Sequence, residues 1–166
     1  MKKKEQKDIR SVEDILHLEW DYTEQMLQHT CKQWFDQTFP DLSVLLFAAE
    51  NGGFRTPKSA AMAKYEGMVS GAPDMVLFPT RYNAAPLGIE MKRPRKPANK
   101  MFGITGRAGG VQSDDQKQWQ SVCEQNGGKY VVCHGLIEFV KAVSEHFGLC
   151  VSEYVTQAVV SYWKYR

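Results

Sequence analysis

The sequence predicts an α/β domain, a mixed central sheet flanked by helices. Helical apolar spacing recurs over 12–37, while helix caps and stops bracket 114–126 and a further helix reads over 136–147. Short apolar runs bounded by turn residues stand at 43–49, 75–78, 87–92 and 130–133. The two kinds of segment alternate along 166 residues, a length that suits one domain spanning 1–166.

Residues 1–10 carry Lys2, Lys3 and Lys4 and read as a basic tail ahead of a core over about 12–147. Ser11 is a helix N-cap followed by Glu13 and Asp14 in the first turn. Leu16, Trp20, Leu27, Cys31, Trp34 and Phe35 then recur near helical spacing, which predicts one long amphipathic helix over 12–37 that Phe39-Pro40-Asp41 ends. Ser43 to Ala49 reads as a strand, and Asn51-Gly52-Gly53 as a turn. The Ala-rich segment 59–66 is helical and stops at Gly67. Strands are expected over 75–78 and 87–92, joined by a loop between Pro79 and Pro86. The Pro- and Gly-containing stretch 93–112 reads as a long loop. Ser113-Asp114-Asp115 caps a helix to about residue 126, which Asn126-Gly127-Gly128 stops. A strand over 130–133 and a helix over 136–147 follow, and 151–165 is ambiguous between helix and strand. Trp20, Trp34 and Trp119 read as core residues.

Composition narrows the function classes. Hydrophobic residues make up 43% and charged residues 24%, which excludes a disordered chain, a collagen and a coiled coil. Twenty-one basic against nineteen acidic residues give a net charge of +2, unlike a histone-type binder, yet local charge decides a nucleic-acid partner more than the sum. No apolar window is long enough for a membrane span, and no apolar run follows the N-terminal lysines. The expected location is the cytoplasm, in a bacterium or a phage-infected cell. Cys31, Cys123, Cys133 and Cys150 form no C-x-x-C pair and read as reduced, mostly buried thiols. The four histidines are scattered, and no phosphate-binding G-x-x-x-x-G-K-[ST] loop is present.

The chemistry concentrates in Gly88-Ile89-Glu90-Met91-Lys92. Side chains alternate faces along a strand, so Glu90 and Lys92 share one face and Ile89 and Met91 the other. By itself such a pair is an ordinary solvated strand face. Pro73-Asp74, directly before the preceding strand, changes the reading. If strands 75–78 and 87–92 pair, Asp74 and Glu90 converge into a hard oxygen site suited to Mg²⁺ or Mn²⁺, with Lys92 beside it to orient water or stabilise charge developing on phosphorus. Gly71 is placed to make the tight turn that presents Asp74.

Pro73-Asp74 followed by Glu90-Met91-Lys92 resembles the PD-(D/E)XK signature of restriction-endonuclease-like nucleases. More specifically, the chain resembles a stand-alone VRR-NUC domain. The matching pieces run in order: Glu24, Gln28 and Trp34; Pro40 and Leu42; Asn51-Gly52-Gly53; Ala60-Ala61 and Gly67; Gly71-Ala72-Pro73-Asp74; Ile89-Glu90-Met91-Lys92-Arg93-Pro94; Ser113-Asp114-Asp115-Gln116 with Trp119; and Gly128-Lys129-Tyr130-Val131-Val132. Two departures stand out. Glu50 takes the place of a proline before Asn-Gly-Gly, and 95–112 is longer than the usual link.

The resemblance implies a restriction-endonuclease-like fold and a Mg²⁺-dependent DNA endonuclease, with Mn²⁺ able to substitute. Asp74 and Glu90 would hold the metal, with the Met91 carbonyl as a third ligand. Lys92 would be the catalytic lysine. Glu24 would complete the site or hold a second metal, and Gln116 would stand near the metal or the attacking water. Relatives of this kind act on branched DNA, and single-domain members resemble Holliday junction resolvases working as homodimers. A non-catalytic DNA-binding module on the same fold, and a nuclease for flaps or other structured DNA, are the alternatives. Charge agrees with a DNA partner: residues 90–117 carry +4 and the rest of the chain −2. Arg93, Arg95, Lys96, Lys100 and Arg107 are the candidate phosphate contacts. Gly52 and Gly53 either let backbone approach a phosphate or form a plain turn.

Overall fold

Ser11 opens the first helix with a reciprocal capping box: its side chain accepts the Asp14 N–H, and the Asp14 carboxylate accepts the Ser11 N–H. In the computed structural model, which describes residues 11–49, 56–149, 159, 160 and 162, that helix ends early. The helix expected over 12–37 is two helices, α1 (Val12–Glu19) and α2 (Glu24–Thr38). Thr23 causes the break. Its backbone is extended and its hydroxyl accepts the Met26 N–H at 3.2 Å, so a new helix starts at Glu24.

Pro40 starts a 3₁₀ helix, Pro40–Leu45, which takes the first half of the strand expected at 43–49. The Ser43 hydroxyl donates to Asp36 at 2.6 Å, and the Ser43 carbonyl accepts from Lys32 at 3.2 Å, which holds that turn against α2. Strand β1 is therefore only Leu46–Ala48. Helix α3 (Pro57–Tyr65) begins two residues earlier than expected, with Thr56 as its cap and Pro57 at its first position. Strands β2 (Met75–Leu77) and β3 (Leu87–Met91), helix α4 (Asp114–Gln125), strand β4 (Lys129–Cys133) and helix α5 (Leu136–His146) follow the expected order. Val159, Val160 and Tyr162 are helical where described. The other residues of 151–166, the tail 1–10, Glu50, Gly52, Gly53 and Cys150 lie outside the described residues.

Among the described residues the strands form one sheet in the order β1-β2-β3-β4, antiparallel except for the parallel β3–β4 pair. The sheet is mixed and helices flank it, as expected. One face packs on α2 and α5. Met75, Leu77, Leu87, Ile89 and Met91 meet Leu27, Cys31, Trp34, Phe35, Leu136, Phe139, Val140 and Val143 there in one buried core. At about 1.5–3 kcal/mol for each fully buried large apolar side chain, this face is the main source of stability. The other face of β3 carries Gly88 and Glu90. A Cβ on Gly88 would sit 3.1 Å from Tyr130 and 3.3 Å from Trp119, so the missing side chain lets α4 and β4 close over the strand. All of β3 is buried in consequence.

One expectation about burial needs correction, that Trp20 and Trp119 join Trp34 in the core. Trp34 is in the core, whereas Trp20 and Trp119 are half-buried; Trp119 packs on Tyr130 with ring centroids 5.7 Å apart. Leu16 is exposed, because the face that α1 buries carries Ile15 and Glu19 instead. Cys31 and Cys133 are buried free thiols, but Cys123 is only half-buried.

The stretch 93–112 is not simply a loop. Lys96 and Arg107 exchange both backbone hydrogen bonds, as do Asn99 and Ile104, which makes a two-stranded ribbon. A 3₁₀ turn, Lys100–Phe102, forms its tip. The Asn99 side chain caps it, accepting the Met101 N–H at 3.1 Å and the Phe102 N–H at 3.4 Å.

Glu19 is wholly buried at the start of α5. Gly135, the N-cap there, offers no side chain, and the Glu19 carboxyl accepts the Leu136 N–H at 3.1 Å instead. A Cβ on Gly135 would fall on that carboxyl, and its φ of +120° suits glycine.

Candidate active site

Asp74 directly precedes β2, and Met75 pairs with Ile89. The next step of the same register sets Asp74 opposite Glu90. The turn before it depends on Gly71, whose φ is +78° and whose Cα faces the Asp115 carbonyl of α4 so closely that a Cβ would land on it. Two donors fix the Asp74 carbonyl: the Ala49 N–H at 2.9 Å and the Gln28 side chain at 3.4 Å. The carboxylate accepts the Met91 N–H at 2.8 Å.

Glu90 is 1% exposed and held by three side chains. Lys92 donates from Nζ to Oε1 at 2.7 Å, the Gln116 amide donates to the same oxygen, and the Tyr130 hydroxyl donates to Oε2 at 3.3 Å. Gln116 does two things at once. Its Oε1 accepts the Ser113 N–H at 2.8 Å, completing the capping box of α4, and its NH₂ group grips Glu90. The cap that starts the helix thereby aims the amide at the acid.

Glu24, at the first position of α2, accepts the Arg93 N–H at 3.3 Å. Gly110 fills the space between Glu24 and Lys92: a Cβ there would lie 3.2 Å from each. Its N–H donates to the Arg93 carbonyl at 2.9 Å, and its carbonyl lies 3.1 Å from His134 Nε2.

The electrostatics follow from burial. The Asp74 carboxyl is pushed above the ordinary carboxylate range by desolvation, and the charge of Glu24 adds to this; the Met91 N–H and Lys92 oppose it. Desolvation also raises Glu90. Its hydrogen bond from Lys92 opposes the shift, and the charge of Asp74 adds to it. Burial and the neighbouring Glu90 charge push the Tyr130 phenol up, so it stays a donor.

A divalent cation suits this pair. Both carboxyls are disfavoured as lone anions, and both present hard oxygens from adjacent strands. Among the described residues no group of three or more His, Cys, Asp or Glu side chains is arranged to hold a metal ion. A cation here would rely on the two carboxylates, the Met91 carbonyl, water and substrate oxygens. Mg²⁺ tolerates that arrangement because it keeps several waters.

The structure thus brings Asp74, Glu90, Lys92 and Gln116 together, with Glu24 near enough for its charge to reach Asp74. The basic residues divide. Arg93 donates from Nε to the Tyr22 carbonyl at 3.1 Å, Arg107 to the carbonyls of Trp20 at 2.8 Å and Pro94 at 3.1 Å, and Lys96 pairs with Asp21 at 2.7 Å. Arg95 and Lys100 are exposed. Gly52 and Gly53 lie outside the described residues. Sequence reasoning missed Tyr130, Gly88 and Gly110. Gly88 shares the face of Glu90 by strand alternation alone, whereas Tyr130 joins that face only through the parallel register Gly88↔Tyr130, which adjacency in the chain does not reveal.

A short mixed sheet thus sets two carboxylates and a lysine side by side, and the family match gives the class, a nuclease-type domain. The VRR-NUC domain family matches residues 10–136, and the chain belongs to that family. A solved structure of a VRR_NUC domain protein is similar in fold, with a TM-score of 0.55 and 20% identity over 77% of this chain and 90% of that one. No curated protein matches the sequence. Among the described residues, no helix is long and apolar enough to cross a membrane.

Proposed function

We propose that this nuclease-type domain is a Mg²⁺-dependent DNA endonuclease that cuts branched DNA such as Holliday junctions, and that it works as a homodimer. The observation that carries the reading is the Lys92 ammonium 2.7 Å from Glu90, on the strand beside Asp74. A pure binding surface has no use for a buried acid beside a half-buried one where phosphates must approach. Asp74, Glu90 and the Met91 carbonyl would hold Mg²⁺ or Mn²⁺, with Glu24 in reserve. When bound, the cation supplies charge neutralisation at the phosphate and a lowered pKa for water.

This chain's own residues do the positioning. Lys92 stands where negative charge develops on phosphorus as water attacks in line, and the 3′ oxygen departs to leave 5′-phosphate and 3′-hydroxyl ends. Gln116 and Tyr130 fix the Glu90 carboxylate so that it need not reorganise during the step. A two-fold dimer would place one site on each of two strands of a four-way junction.

The test is a panel of labelled substrates, namely four-way junction, flap, splayed arm, duplex and single strand, with Mg²⁺, Mn²⁺ or EDTA. Cleavage is expected with either metal, strongest on the junction, and absent with EDTA or in Asp74→Ala, Glu90→Ala and Lys92→Ala. Sedimentation should report a dimer. Unchanged cleavage by Glu90→Ala refutes the site.

A further inference from the structure

The ribbon over 96–107 has a use that the carboxylates do not explain. Its tip exposes two large apolar side chains side by side, Met101 at 86% and Phe102 at 72%. The ribbon beneath them is built to be stiff. Two registered pairs close it, Gly106 lies so near Ala98 that a Cβ would be 2.9 Å from the Ala98 nitrogen, and Asn99 caps the tip. Its root is fastened to the α1–α2 bend through Arg107 and Lys96.

The root also adjoins the site. Gly110, just past one limb, packs on the Lys92 side chain, and Lys92 precedes the other limb by four residues. Met101 lies nine residues beyond Lys92, so the tip is within about 30 Å of it at full extension. That is less than about one turn of duplex.

We propose that Met101 and Phe102 form a wedge that enters the DNA base stack and thereby sets which phosphate reaches Asp74 and Glu90. Apolar side chains on a rigid projection are the chemistry that unstacks a base step, which is easiest where stacking is already broken. The surroundings suit nucleic acid: Lys100 is exposed next to the wedge, where a phosphate beside the opened step would find a cation, and Arg95 is exposed at the root of the ribbon, nearer the acids. The inference rests on the proposed DNA nuclease function.

The experiment uses four-way junctions that each carry one 2-aminopurine, placed from the branch point to ten base pairs along an arm, with Ca²⁺ replacing Mg²⁺ to permit binding. The full-length protein should raise emission at one or two adjacent positions. The double variant Met101→Ser/Phe102→Ser, altered only at an exposed tip, should lose that rise. Its junction affinity should fall at least about five-fold, the scale of one lost stacking contact. The salt dependence of binding should not change, because no phosphate contact is removed. An emission profile in the variant equal to that of the unaltered protein overturns the wedge. A smaller assembly for the variant in sedimentation overturns it too, assigning the tip to contact between copies. In either case junction cleavage by the unaltered protein leaves the nuclease reading standing. If the unaltered protein neither binds nor cuts any DNA in the panel, both fall.

Discussion

Glu19→Gln should reverse its effect on stability between acid and mildly alkaline pH. The Glu19 carboxyl is raised from an ordinary 4.5 to about 7, first by burial and then by the charge of Glu138, with the Leu136 N–H opposing. An acid bound more tightly by its proton in the folded state weakens that state as pH rises. Below pH 4.5 both states are protonated and nothing is lost. Between 4.5 and about 7 the unfolded chain ionises while the folded one resists, and above 7 the full loss remains. At about 1.4 kcal/mol per tenfold change in proton affinity, that loss is about 3 kcal/mol.

Glutamine keeps the carbonyl that accepts the Leu136 N–H and cannot ionise. Its NH₂ group replaces an oxygen that lies 3.3 Å or less from the Leu136 nitrogen and sets a donor against that donor, which costs about 1 kcal/mol at any pH. The variant should therefore be the less stable protein by about 1 kcal/mol at pH 4 and the more stable by about 2 kcal/mol at pH 8. Urea unfolding followed by tryptophan fluorescence, repeated across this range, measures the crossing. A difference between the two proteins that stays constant from pH 4 to pH 8 would refute the reasoning.

Further outcomes follow from the site and its frame. Asp74→Asn and Glu90→Gln should abolish cleavage yet raise the melting temperature at pH 8, since both acids are raised in the folded state and their ionisation opposes folding above the ordinary carboxylate range; equal melting temperatures at pH 8 count against the burial argument. Gln116→Ala removes both the capping contact and the grip on Glu90, so kcat should fall about 10–100-fold, the usual effect of losing a partner that orients a ligand, with α4 retained by circular dichroism. Gly71→Ala forces a Cβ onto the Asp115 carbonyl at a left-handed φ. It should destabilise by at least about 1–2 kcal/mol in chemical unfolding.

The sheet and the signature were readable because each rests on local signals. Strand β3 is an apolar run with alternating chemistry, and Ser113-x-x-Gln116 is a capping box in plain sequence. The pairing of β2 with β3, joined by a short loop, then placed Asp74 opposite Glu90. What could not be read depends on contacts between distant segments. Tyr130 reaches Glu90 through a parallel register forty residues along the chain. The ribbon hides because its limbs contain Pro97, Gly103 and Gly106, residues that ordinarily mark a loop, and only two bridges hold it. The break in the first helix had a visible cue in Thr23-Glu24, but the apolar period runs across it and outweighed the cap.

The unexpected break and the unexpected ribbon are one device. A helix that ends at Glu19 leaves the carbonyls of its cap Trp20 and of Tyr22 in the following bend without intrahelical partners, and such a terminus attracts cations. Arg107 takes the Trp20 carbonyl, Arg93 takes the Tyr22 carbonyl, and Lys96 takes the Asp21 carboxylate between them. A continuous helix over 12–37 would have satisfied those carbonyls internally and left the ribbon unanchored. The same restart puts Glu24 at the head of α2, where it accepts the Arg93 N–H one residue after Lys92. Three of the five basic residues that composition would assign to phosphate therefore already have fixed partners within the chain. On the proposed reading, Arg95 and Lys100 are the cations of this stretch left to meet DNA, so it contributes about 2 rather than about 5 displaced counterions per site. The +4 surplus of residues 90–117 measures in large part how the ribbon is fastened beside the acids, and only in the remainder how it attracts a backbone.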